Sequence, residues 1–512
     1  MKNSLILFST LFVLTSCCTR KNVENRIIDY ADFEHVKSCR VYELLKGTDS
    51  LVIQNVPIGS VVYITKTNTG SSIIPKESAQ YVLHADGITL NVKNPKEHFE
   101  NRNLDPTSVF APQKIFRKTE KVKSFDAETE QNKKKSKLIK EKLYEIGNQK
   151  DIYIDTNSNM STYEKKSAHL AAKGSFCYVW AVDGYGSEDK IKSSAEILCN
   201  AFDGMYDKIR LLFGKESDAM FCNFNGKFFE MKNLEYMSDT GRKVNIVLYD
   251  INMANNGVVG YFYSKDYFPS NMDYENDVLK YSNEGKYIYI DSQWAEADID
   301  ICISTLAHEF QHIINYNQKT LLHNLPDADA FSEMMALICE DIIKGRTENE
   351  SLNSRLAMFN SGYAECGLEY RGDSHYHAML SYAMNYAFGT WLYHNYGGTT
   401  FIHNIATNAY SDIKCITHAS GKSIDQLLKA FSIDCISKEN GFSYLWNLHK
   451  TNYDEADYKY DGPVTYAYNA RHEIRPYGIF LLKAGMAESD TLLFKFNRKE
   501  FSNQEHTYIV VE

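Results

Sequence analysis

The run His308-Glu309-Phe310-Gln311-His312 carries the residues of this chain whose types and spacing best suit chemistry. Two histidines four positions apart stack on one face of a helix, where both imidazoles can bind a single zinc ion. Glu309 is turned about 100° from His308 around the helix axis, so its carboxylate can reach a water on that metal and serve as general base. With 15 histidines in 512 residues, chance alone yields about 0.03 matches to this pattern. A surface helix with two solvated histidines explains it poorly.

A hydrolytic zinc takes a third protein ligand and keeps one position open for water. Metzincins place glycine and histidine three and six residues beyond the second motif histidine; here Asn315 and Gln318 stand there, which excludes that class. The remaining common choice is a glutamate on the next helix, and Glu333 lies 21 residues after His312 in a helical pattern over 331–344. That interval is long enough for a second helix to return antiparallel. Glu340 sits two turns further, about 10 Å along the axis, so only one of the two carboxylates can meet the same metal. His323, Asp327 and Asp329, from the connecting loop, compete for the third position.

These side chains need a scaffold to hold them. Apolar residues at helical spacing (Ile301, Leu306, Phe310, Ile313, Ile314) put the motif on a core-packed helix over 298–318. Strand texture precedes it at 176–180, 244–249 and 287–290, with a helical pattern over 195–213. Further helices are expected at 331–344, 376–395 and 423–431. Strands followed by long helices indicate the α+β class. The expected organisation is an N-terminal β-domain at 31–112, a charged linker or helical segment at 113–173, the catalytic domain at 174–450 and a C-terminal β-rich segment at 451–512.

Residues 1–16 read as an export signal, because a charged start precedes an apolar run at 5–14 that is half the length of a bilayer-spanning helix. Leu14-Thr15-Ser16-Cys17 resembles the bacterial lipobox, in which the peptidase cuts before the cysteine and that residue is acylated. Cys17 is therefore expected to anchor the mature chain to a membrane of the bacterial envelope, through a polar tether at 17–30. The 56 Lys and Arg against 66 Asp and Glu give a net charge of -10, which argues against a general nucleic-acid binder. Nine cysteines beyond Cys18 are scattered without close pairs or a CxxC, so no disulfide framework and no cysteine metal site is read.

Taken together, Thr305-Leu306-Ala307-His308-Glu309-Phe310-Gln311-His312, then Glu333 with Glu340-Asp341, resemble the gluzincin metallopeptidases, and among them the hyicolysin family. The resemblance extends over about 176–398. It implies a gluzincin-type zinc peptidase domain, Zn2+ held by His308, His312 and Glu333, and hydrolysis of peptide or protein substrates with Glu309 as base. Thermolysin-like members support a zinc histidine with an aspartate four residues after the third ligand, but Leu337 stands there, and the support is left unassigned. Gluzincins also supply an oxyanion donor from a later helix. Among His375, His377, Tyr382, Tyr386 and Tyr393, the family resemblance favours Tyr382 on the helix's exposed approach. Substrate is expected along an exposed edge strand, for which 287–292 is the candidate, the alternative being that this strand is internal and only structural. The alternative function is a catalytically inactive, peptidase-like surface adhesin or binding lipoprotein.

Overall fold

The computed structural model describes residues 26–89, 144–156, 162–224, 227–231, 243–251, 258–271, 277–326, 328–345, 350–369, 375–437, 463–497 and 502–512. The export signal, Cys17, residues 113–143 of the charged segment and Asp327 lie outside the described residues.

In chain order the strands are β1 (Arg26–Asp29), β2 (Glu34–Val36), β3 (Cys39–Glu43), β4 (Ser50–Gln54), β5 (Val61–Asn68), β6 (Val82–Asp86), β7 (Ile88–Thr89), β8 (Gln149–Asp155), β9 (Tyr163–Lys173), β10 (Cys177–Val182), β11 (Met220–Phe224), β12 (Lys227–Met231), β13 (Val244–Tyr249), β14 (Gly260–Phe262), β15 (Tyr287–Asp291), β16 (Tyr466–Ala467), β17 (Ile479–Ala487), β18 (Leu492–Phe496) and β19 (Glu505–Val511). The helices are α1 (Glu188–Phe213), α2 (Ser292–Ala297), α3 (Ile299–Asn315), α4 (Asp329–Lys344), α5 (Glu350–Gly362), α6 (His375–Asn395), α7 (Gly398–Thr407), α8 (Ile413–Ser420) and α9 (Ile424–Ser437). Helix and sheet are mixed, in keeping with the α+β class.

The central sheet has the order β14-β15-β13-β10-β9-β8. β10, β13 and β15 run parallel. Every residue of these three strands is buried, as a parallel core covered on both faces requires. One face packs against α1 and α3, where Phe310 of the motif helix meets Phe202 and Tyr206 at ring separations of 5.0 and 5.2 Å. The other face is a layer of large aromatics, including Tyr178, Trp180, Tyr249, Tyr261 and Tyr289. Lys150 lies over Trp180 and Tyr287 at 5.0 and 5.2 Å, so its charge rests against ring faces.

The strand expected at the sheet edge, 287–292, is internal. β15 is flanked by β13 on one side and by the short antiparallel β14 on the other, which makes β14 the edge. Gly260 permits this closeness: a Cβ there would lie 2.7 Å from the Tyr289 carbonyl oxygen and 2.8 Å from Thr305 Cγ2. The edge strand is thereby wedged against both β15 and the motif helix.

Strands from the two ends of the chain build a β-sandwich together. One sheet runs β1-β4-β18-β6 and the other β16-β17-β5-β19-β3-β2, so stretches that the sequence reads separately, 31–112 and 451–512, share both sheets. β5 lies between β17 and β19, antiparallel to each. Asp434 on α9 joins this sandwich to the helices, accepting from Trp391 Nε1 at 2.8 Å and pairing with Lys37 at 2.5 Å. Among the described residues no helix is long and apolar enough to cross a membrane.

Candidate metal centre

α3 starts where Asp298 caps it, its carboxylate accepting from the Asp300 and Ile301 amides at 3.2 and 3.3 Å. The helix is shorter than the expected 298–318. After Asn315 the chain enters a π-helical turn, Tyr316–Leu321. Long-range partners hold that turn open: Asn317 and Gln318 donate to the Lys215 carbonyl at 2.7 and 2.8 Å. Lys319 donates to the carbonyls of Ile405 and Asn408 at 2.6 and 2.8 Å, closing the end of α7.

α4 then returns across α3 and brings Glu333 to the two imidazoles. Glu333 Oε2 is 3.2 Å from His308 Nε2 and 3.6 Å from His312 Nε2. The ligand atoms of His308, His312 and Glu333 all lie within 4.8 Å of one another, and all three residues are buried. Glu333 Oε1 is buried without a hydrogen bond. Two imidazole nitrogens and one carboxylate converging on a point form a donor set that fits a divalent cation of the zinc type. The competitors are elsewhere or outside view: His323 is solvent-exposed, and the side chain of Asp329, like Asp327, lies outside the described residues.

The structure also supplies partners that sequence reading leaves unassigned. His308 turns Nδ1 toward Glu340 Oε1 at 2.6 Å, and His312 turns Nδ1 toward Ser332 Oγ at 2.9 Å. Ser332 accepts from Asn315 Nδ2 as well, at 3.2 Å. Each ring therefore has its Nε2 facing Glu333 and its Nδ1 fixed from behind, the arrangement that holds a metal-binding imidazole in one orientation. The signal was present in the seven-residue step from Glu333 to Glu340, which keeps both carboxylates on one face of α4. Glu340 lies beyond Glu333's reach of the metal point, but not beyond His308's other nitrogen.

The electrostatics follow from burying so many ionisable groups together. Burial works against a charged His308, but hydrogen bonds to Glu333 and Glu340 outweigh it and raise the imidazole to about 10. Glu333 is also opposed by burial, yet the two imidazoles hold its carboxyl well below the usual range. Burial dominates at Glu309 and pushes it up to about 8, while the Phe262 amide of the edge strand donates to its carboxylate and pulls the other way. The metal-free centre is thus an ion pair between His308 and Glu333, with Glu309 beside it. His308, His312 and Glu333 would hold a divalent cation only with the His308 proton released, and the added positive charge would favour the ionised form of Glu309.

Tyr382 is not brought to this group, and the exposed approach expected for it is not found. α6 runs antiparallel to α4: Gly389 packs on Met334 and Ile338, while Tyr386 Oη donates to Asp341 at 2.8 Å. Tyr382, one turn earlier, falls opposite the last turn of α4, more than about 12 Å along the axis from Glu333. It is buried with its ring 5.6 Å from the Arg355 guanidinium. His377 lies 3.8 Å from Glu365, Tyr393 is half-buried against His394, and the side chain of His375 is outside the described residues.

Comparison with known proteins points the same way as this geometry. Over 278 residues, 51% of this chain, the sequence is 25% identical to the neutral metalloprotease ShpI of Staphylococcus hyicus. The match spans 54% of that protein, so the chain covers about half the length of the relative it matches. This supports a metallopeptidase. No family model matches the chain.

Proposed function

We propose that the chain is a zinc-dependent endopeptidase of gluzincin type, held in the bacterial envelope by a lipid on Cys17. The observation that carries this reading is the convergence of His308, His312 and Glu333 with Glu309 one residue from the first ligand. The likeness to a neutral metalloprotease supports it. His308 Nε2, His312 Nε2 and one oxygen of Glu333 would hold the ion. Zinc bound there supplies a Lewis acid for the substrate carbonyl and an acidified water.

The remaining work falls to the chain itself. Glu309, oriented by the Phe262 amide, accepts the proton of the attacking water and returns it to the departing amine. Glu340 and Ser332 keep the ligand imidazoles from rotating. β14, which ends the strand order of the central sheet, would pair with an extended peptide, a mode that selects for an unfolded or looped segment without strong sequence demands. Casein cleavage and zinc content, each measured with and without a chelator, test the proposal. Zinc near one per chain with chelator-sensitive cleavage is expected; cleavage that persists after complete metal removal would overturn it.

A further inference from the structure

A second chemical pair lies outside the metal centre, between β10 and α1. Cys177 belongs to β10 in the middle of the sheet, and Cys199 to α1, which covers that sheet. Their sulfurs are 3.6 Å apart, with Cys177 as donor, and both residues are buried. We propose that Cys177 and Cys199 are a modification site: a dithiol that closes into a disulfide stapling α1 to β10 when the chain folds under oxidising conditions.

One of the two cysteines, as its thiolate, attacks one sulfur of an external disulfide, such as oxidised glutathione, and expels the other sulfur as a thiolate. The second cysteine then gives up its proton and attacks the protein sulfur of the mixed disulfide, releasing the second thiolate. Two protein thiols are oxidised and one external disulfide is reduced. Because both sulfurs are buried in the folded chain, the exchange belongs to folding, before α1 seats on the sheet. The consequence reaches the metal centre, since α1 backs the motif helix through Phe202, Tyr206 and Phe310.

The test does not depend on activity. The full chain is unfolded, refolded with oxidised and reduced glutathione, denatured, alkylated and digested with trypsin. Cleavage after Lys173, Lys190, Lys192 and Lys208 places the two cysteines on separate peptides, 174–190 and 193–208. The expected product is one species joining these peptides, which splits on reduction. Recovery of both peptides singly and fully alkylated overturns the proposal. Reductant should also lower the Tm of the refolded wild type by about 5 °C and leave a Cys177→Ala/Cys199→Ala variant unmoved. Equal Tm with and without reductant in the wild type counts against the staple even where the variant does not fold.

Discussion

Two carboxylates on one helix face divide their labour at the metal centre. Glu333 meets the ligand nitrogens, while Glu340 fixes the far nitrogen of His308. Replacing Glu340 with alanine should therefore leave the three donors in place and weaken zinc binding by about 10-fold to 100-fold. Competition with a chromophoric chelator measures this, and unchanged affinity would remove Glu340 from the role. A second expectation comes from the proton on His308. In the metal-free chain that imidazole stays protonated below about 10, whereas a ligand nitrogen has to be neutral. Zinc binding at neutral pH should thus release at least one proton and weaken by about tenfold for each unit of acidification. Calorimetry in two buffers of different ionisation enthalpy reads the proton count, and a count of zero would contradict the ion pair. The i and i+4 histidines were legible because helix periodicity alone puts them on one face. For Glu340 only the helix face it shares with Glu333 was legible; its contact with His308 depends on how closely α4 crosses α3.

At the scale of elements, the position of β14 governs how substrate is presented. Residues 287–292 were the candidate for the edge, but their β-branched and aromatic texture reflects burial on both faces. β14 is only three residues long and opens on a glycine, which gives little periodicity to detect. Gly260→Val would drive methyl groups into the Tyr289 carbonyl and Thr305. Overpacking at this wedge should cost roughly 2 kcal/mol or more and displace the Phe262 amide from Glu309, so both Tm and turnover should fall. Wild-type values of both would show that the edge strand tolerates a side chain there. Helix α6 teaches the same lesson in reverse. Tyr382 has suitable chemistry, but its place was decided by the antiparallel register of α4 and α6, fixed by Gly389 and by the Tyr386–Asp341 hydrogen bond.

Across the whole molecule, a mixed sheet with a parallel core and its helices holds the candidate metal centre, and a β-sandwich drawn from both ends of the chain packs alongside. The class of each stretch was legible from strand and helix periodicity, whereas the pairing of β5 with β17 and β19, more than 400 residues apart, leaves no local trace. The proposed lipid anchor rests on one sulfur. Cys17→Ser should abolish incorporation of a radioactive fatty acid, and equal labelling of wild type and variant would dismiss the lipid anchor. The central claim is that Glu309 moves the proton at a metal held by His308, His312 and Glu333. Casein turnover of the zinc-loaded Glu309→Gln variant tests it most directly, because glutamine keeps the size of the side chain and removes its basicity. The account expects zinc at wild-type stoichiometry with turnover lower by orders of magnitude; wild-type turnover in that sample would contradict it.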